Sequence, residues 1–145
     1  MAVNHPQLGA TVFDTTDARA LAEFYRELLG LVYRPGDEPP TDGSRDNPDW
    51  LVLTDGTGGI HGLAFQQVDE LPRTNWPEPP GVPQQLHLDL GVPDFEELTR
   101  QRDRALALGA TELLDRSADE EEPLYVFADP SGHPFCIFVA PDTAN

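Results

Sequence analysis

The sequence predicts an α+β protein made of two tandem βαβββ modules, and two observations carry that prediction. A strand, a capping aspartate, an amphipathic helix and a terminating glycine occur twice in the same order, with Asp17 and Asp94 in equivalent places 77 residues apart. Between the copies lies Asp69 to Pro83, whose five prolines mark an extended connector rather than an element. Two copies make an internal duplication, since a solenoid needs at least three repeats. The expected organisation is one domain over residues 1–145, with module one at 8–68, the connector at 69–84 and module two at 85–140.

In the first copy, Leu8 to Asp14 is a short apolar and β-branched run, the pattern of a strand. Asp17 can cap a helix, because its carboxylate accepts an otherwise unpaired N–H of the first turn. Ala18, Leu21, Ala22, Tyr25, Leu28 and Leu29 then recur at helical spacing, and Gly30 stops the helix. Leu31 to Tyr33 starts a strand, and Arg34 to Asp49 is a loop rich in Pro, Gly and Asp, long enough to serve as a lid. Trp50 to Thr54 and Gly62 to Val68 are strands flanking the turn Asp55-Gly56-Thr57-Gly58-Gly59. In the second copy, Gln85 to Val92 is a strand, Phe95 to Leu108 a helix ended by Gly109, and Thr111 to Leu114 a strand. An acidic loop, Arg116 to Pro123, precedes Leu124 to Ala128 and Phe135 to Ala140, strands around the turn Asp129-Pro130-Ser131-Gly132.

Composition narrows the function. The 145 residues carry a formal net charge of −17, which repels phosphate backbones and leaves no place for a nucleic-acid partner. Arg100, Arg102 and Arg104 lie among Glu96, Glu97 and Asp103, as on a solvated helix face. All nine basic residues are Arg, which removes a Schiff-base lysine and a Walker-type phosphate loop. The three serines lie in turn-like sequence and none sits in a Gly-x-Ser-x-Gly elbow. No apolar run approaches the roughly 20 residues of a membrane span. With Cys136 alone no internal disulfide can form, and no signal peptide is read in Met1 to Ala10, so the expected location is cytoplasmic. A chain this long buries roughly 68–70% of its unfolded surface and needs neither disulfide nor metal to fold.

Three runs carry a family resemblance. Asp17-x-x-x-Leu-x-x-Phe-Tyr-x-x-Leu-Leu-Gly-Leu, Gln85-Leu-His-Leu-Asp-Leu-x-Val-x-Asp and Asp129-Pro-Ser-Gly-x-Pro-Phe-Cys resemble the vicinal oxygen chelate superfamily. That superfamily holds glyoxalase I, extradiol dioxygenases and the fosfomycin- and bleomycin-resistance proteins, and the nearest look is to its actinobacterial glyoxalase-like branch. The resemblance runs from Leu8 to Val139 and implies a curved mixed sheet around a funnel-shaped cleft, with the helices outside and homodimers common. It specifies a fold far better than a reaction, because one fold hosts unrelated chemistries.

Strand alternation then assigns faces. In Leu86-His87-Leu88-Asp89-Leu90 the leucines suit the core, so His87 and Asp89 face the funnel. By the same parity Leu63 and Phe65 are core and Gln66 faces the funnel, as do Cys136 and Phe138 on the last strand and Ala10, Val12 and Asp14 on the first. Catalytic members of the superfamily bind a divalent metal through first and fourth strands of each module, which here implies Ala10, Gln66, His87 and Cys136. Ala10 offers no ligand atom, Gln66 is a weak neutral donor, and a His, a Gln and a Cys suit no common cation well. The expectation is therefore no metal and no cofactor, with Cys136 a small buried hydrophobe. His5, His61 and His133 read as terminal, rim and turn residues.

Trp50, Trp76, Tyr125 and Phe127 are aromatic residues this fold sets near the funnel, where flat walls suit a planar ligand. The expected ligand contacts are Trp50, Gln66, His87, Phe127, Cys136 and Phe138, for a small organic ligand of aromatic or cationic character. Three functions compete. A metal-independent binding protein explains the missing metal ligands and the aromatic rim. A metal-free isomerase, cyclase or lyase would use His87 as acid or base with Asp89 orienting it. A metal-dependent lyase or dioxygenase is opposed by Ala10 and Cys136.

Overall fold

A computed structural model describes residues 5–58, 62–78 and 81–140. His61 and Gly59, expected at a strand start and in a turn, lie outside the described residues. The chain divides into two compact units, residues 1–71 and 72–145. Each holds one helix and one four-stranded mixed sheet, so the strands form two sheets and no closed barrel.

The first unit contains β1 (Ala10–Thr15), α1 (Ala18–Leu29), β2 (Val32–Tyr33), β3 (Trp50–Thr54) and β4 (Gly62–Gln67), in the sheet order β1-β4-β3-β2. β1 lies parallel to β4, and the remaining pairs are antiparallel. Asp17 caps α1 by accepting the Ala20 N–H at 3.0 Å, and Gly30 ends it in the left-handed region at φ 69°. The buried stripe of α1, including Leu21, Tyr25 and Leu28, packs on the sheet row Phe13, Phe65 and Leu51. Tyr25 meets Phe13 edge-on at 5.3 Å and stacks over Phe65 at 6.0 Å, which concentrates this unit's core in three rings.

The second unit contains β5 (Leu88–Val92), α2 (Phe95–Leu108), β6 (Thr111–Arg116), β7 (Leu124–Ala128) and β8 (Pro134–Val139), ordered β5-β8-β7-β6. The topology repeats the first, with β5 parallel to β8. Asp94 caps α2 through the Glu97 N–H at 2.8 Å, and Gly109 closes it. Only Leu98 and Ala105 of α2 are buried, and Arg102 reaches across to Glu112 at 2.9 Å while lying over the Tyr125 ring.

Three strands differ from the sequence pattern by two residues or more at one end. β1 begins at Ala10, which pairs with Gly62, and Leu8 stays 63% exposed. β5 begins at Leu88 rather than Gln85. Its register sets Leu88 beside Phe135, so the next step outward meets Pro134, which has no N–H for the ladder. Leu86, expected in the core, is therefore outside the alternation and 46% exposed. β6 runs on to Arg116, past an irregularity between Glu112 and Leu114 that resets its pairing with β7.

Candidate functional site

Among the described residues, the second unit gathers the chemistry around His87. The segment before β5 is fastened down by backbone and side-chain bonds: Thr74 Oγ1 donates to the Val82 carbonyl at 2.7 Å and the Asn75 N–H to the same oxygen at 3.2 Å. Gly81 takes φ 151°, a conformation that residues with a Cβ rarely adopt, so this closure favours glycine there. Arg73 donates to the Pro130 carbonyl at 3.3 Å. The result fixes Trp76, whose ring stacks on His87 at 4.9 Å between centroids and 15° between planes. The connector thus belongs to the second unit and supplies one wall of the site.

The imidazole is held at both nitrogens. Gln84 Oε1 lies 3.0 Å from Nδ1, and Asp89 Oδ1 lies 3.3 Å from Nε2. His87 directly precedes β5 and Asp89 is its second residue, and the two side chains meet as the sequence alternation predicts. The parallel register sets Asp89 beside Cys136 on β8. One ligand atom from each of His87, Asp89 and Cys136 lies within 4.8 Å of the others. Exposure differs across the group: the His87 side chain is 32% exposed, Asp89 61%, and Cys136 only 7%. Burial, reinforced by the neighbouring Asp89 charge, pushes the Cys136 thiol up to about 11. An unliganded thiol there stays protonated at neutral pH and is a poor nucleophile.

The remaining expected contacts divide. Phe138 lies on the same face of β8 as Cys136 and is half-buried. Phe127 does not reach that face. It is fully buried on the helix side, stacked on Phe135 at 5.1 Å, because Phe127 and Phe135 are register partners within the core. Tyr125 shares its parity and is likewise buried. In the first unit, Gln66 pairs in register with Asp14 on one side and Trp50 on the other, and all three are exposed. His133 closes a turn with Asp129, whose carboxylate accepts the His133 N–H at 3.0 Å, and His5 is exposed near the terminus.

The loop over residues 34–49 is tied rather than free. Arg19 donates to both carboxylate oxygens of Asp46 at 2.9 and 3.0 Å and to the Asp37 carbonyl at 2.7 Å. Asp37 in turn accepts the Val52 N–H at 2.9 Å, which pins the loop to β3.

Of the four positions implied for a divalent metal, Ala10 ends in a methyl group, so a set shared by both modules does not fit. Within the second unit the donors differ from that set. Asp89 joins His87 and Cys136, giving one nitrogen, one oxygen and one sulfur, which are donor types zinc accepts. Alternation alone makes Asp89 a partner of His87 and not a donor. Its place beside Cys136 depends on a strand register that no local pattern reveals. The Trp76 contact is likewise out of reach of the sequence, since the connector has no periodicity to read.

A family model described as a glyoxalase-like domain matches residues 10–138. Among solved structures, the chain is similar to a glyoxalase/bleomycin resistance protein/dioxygenase family enzyme from Burkholderia phytofirmans, at 18% identity and a TM-score of 0.65, covering 92% of this chain and 98% of that one. It is also similar to a fosfomycin resistance protein from Mesorhizobium loti, at 14% identity and a TM-score of 0.61, covering 96% and 94%. A glyoxalase/bleomycin resistance protein/dioxygenase from Nocardioides gives 19% identity and 0.58 over 95% and 85%. At these identities the likeness is one of fold. No curated protein matches the chain. The duplicated βαβββ topology and the match over nearly its whole length make this chain a member of the glyoxalase-like domain family, within the frame of the vicinal oxygen chelate superfamily.

Proposed function

We propose that the protein binds a small organic ligand at the His87 face of its second unit, without the superfamily's two-module metal set. The single observation that supports this most is the fixed imidazole, stacked on Trp76 and held by Gln84 and Asp89. A ring fixed in this way keeps Nε2 in one place beside a flat apolar wall, where the hydroxyl or carbonyl of a planar ligand can take the place of the exposed Asp89 carboxylate. The exposed Asp89 carboxylate favours ligands with a cationic or N–H group. Trp50 and Gln66 on the first unit are a separate candidate contact, supported by their shared row on the sheet. We also propose a cytoplasmic homodimer, on the lone cysteine and the pairing habit of the superfamily. No helix among the described residues is long and apolar enough to cross a membrane.

The test uses chelator-treated protein and a panel of planar aromatic fragments bearing hydroxyl or carbonyl groups, read by thermal shift and then by titration. His87→Ala is expected to weaken the best fragment by about 5- to 150-fold, the range for losing one buried hydrogen bond of about 1–3 kcal/mol. Unchanged binding in His87→Ala, with loss in Trp50→Ala, would move the site to the first unit. A second reading, metal-free acid–base catalysis, is favoured by the His87–Asp89 contact. Its mark would be a fragment that is turned over, with His87→Ala stopping turnover while binding persists.

A further inference from the structure

We propose that residues 73–78 form a gate over the His87 face of the second unit, with Trp76 as its leaf and Arg73 as its latch. With the gate closed, the indole lies on the imidazole and Cys136 is shielded. When the arm swings away, the face and the thiol open to solvent. The use of such a gate rests on the binding reading above, while its movement is measured on the protein alone, without any ligand.

The arm closes its bonds on itself. The Trp76 N–H donates to Thr74 Oγ1 at 3.1 Å, and the Glu78 N–H to the Asn75 carbonyl at 2.8 Å. It meets the body of the unit through an exposed hydrogen bond, from Arg73 to the Pro130 carbonyl at 3.3 Å, and through the Trp76 ring on His87, 4.9 Å between centroids. Arg73, Asn75 and Glu78 are exposed. A segment bonded in this way stands at the low-stability end of a fold, from which lids are drawn. The latch point is firm by contrast. The turn between β7 and β8 is held by the Asp129 carboxylate, which accepts the Ser131 and His133 N–H groups at 2.8 and 3.0 Å. Within it Gly132 takes φ 96° and gives Arg73 its seat, since a Cβ there would stand 3.0 Å from Arg73 Cγ and Nε.

The strand register shows what the gate covers. On β8, Cys136 lies between Asp89 on β5 and Val126 on β7, all three on one face of the sheet. Val126 is 3% exposed and closes its side, while the Asp89 side chain is 61% exposed. The way from the sulfur to solvent therefore runs past Asp89 and His87, whose polar atoms stand within 4.8 Å of it. With the imidazole clamped under Trp76 that way is shut, and Cys136 is only 7% exposed. A ring stack of this kind shifts an equilibrium by about 2- to 12-fold, so its loss frees the imidazole and opens the path without unfolding the sheet.

The experiment times the reaction of Cys136, the chain's single thiol, with N-ethylmaleimide at one fixed pH, read by intact mass. The probe is uncharged, so the net charge of −17 does not repel it. Wild-type labelling is expected to be at least about tenfold slower than in the urea-unfolded chain, and independent of urea well below the unfolding transition, the mark of a local opening. Trp76→Ala and Arg73→Ala should each speed it about 2- to 12-fold. Trp76→Phe, which keeps a flat ring, should stay near the wild-type rate, and Arg19→Ala, in the first unit, should leave the rate unchanged. A wild-type rate in Trp76→Ala or in Arg73→Ala would overturn the proposal. So would a rate that climbs with urea along the whole unfolding slope, since the thiol is then uncovered only by global unfolding. Arg73 is exposed, so Arg73→Ala keeps its fold and decides the matter even if Trp76→Ala does not. The labelling needs no fragment and the fragment test needs no labelling, so the gate and the binding reading fail separately.

Discussion

Tyr33 shows how one side chain carries a pH dependence through its surroundings. Burial, with help from the Glu23 carboxylate that accepts its hydroxyl at 2.7 Å, pushes the phenol up to about 12, against the opposing pull of Arg19. The folded chain therefore holds the Tyr33 proton at pH values where the unfolded chain, with its ordinary value of 10.0, releases it. The stability due to this group is fully present below pH 10 and is lost as pH rises through about 12. Urea midpoints measured across that window should fall for the wild type and fall less steeply for Tyr33→Phe. Equal slopes would mean the phenol is not held as described. At the same scale, the candidate site is half legible in the sequence. His87 and Asp89 share a face by simple alternation, which needs only two-residue periodicity. Trp76 and Gln84 act through contacts made by an aperiodic connector, and Phe127 shows its core side only through its pairing with Phe135.

Helix boundaries are the most readable elements, because caps are local chemistry. Asp17 and Asp94 each accept an N–H three residues on, and Gly30 and Gly109 each take positive φ at the helix end. A Cβ added at Gly30 would have no atom within 4 Å, so Gly30→Ala should cost stability through backbone strain alone, about 1–2 kcal/mol. Chemical denaturation checks this, and a neutral effect would contradict the left-handed cap. Strand ends are less readable, since they depend on the partner: Pro134 cuts β5 short from across the sheet. The 34–49 loop illustrates the same limit. Its composition suggests a lid, while Arg19 on α1 grips Asp46 and Asp37 from a distance in sequence. Arg19→Ala should therefore loosen the loop and speed tryptic cleavage at Arg45 in an otherwise folded protein. Unchanged cleavage would show that the Asp37–Val52 bond alone holds it.

The two units share one topology and differ in the side chains they present. The first spends its helix face on an aromatic core of Phe13, Tyr25 and Phe65, and its sheet row at Gln66 holds no histidine or cysteine. The second buries less of its helix and brings His87, Asp89 and Cys136 together beside Trp76. The duplication is visible as a repeat of capping aspartates, yet the gathering of His87, Asp89 and Cys136 in one copy depends on residues from the connector, β5 and β8. Each unit also contains one tryptophan, Trp50 in the first and Trp76 in the second, which gives a direct readout of where a ligand sits. The most direct test is a ¹⁵N-resolved NMR titration of the two indole N–H signals, assigned with Trp50→Phe and Trp76→Phe, using the best planar fragment on chelator-treated protein. The expected result is a Trp76 signal that moves along a saturating curve, with the movement suppressed in His87→Ala. A Trp76 signal that stays still while Trp50 moves would contradict it.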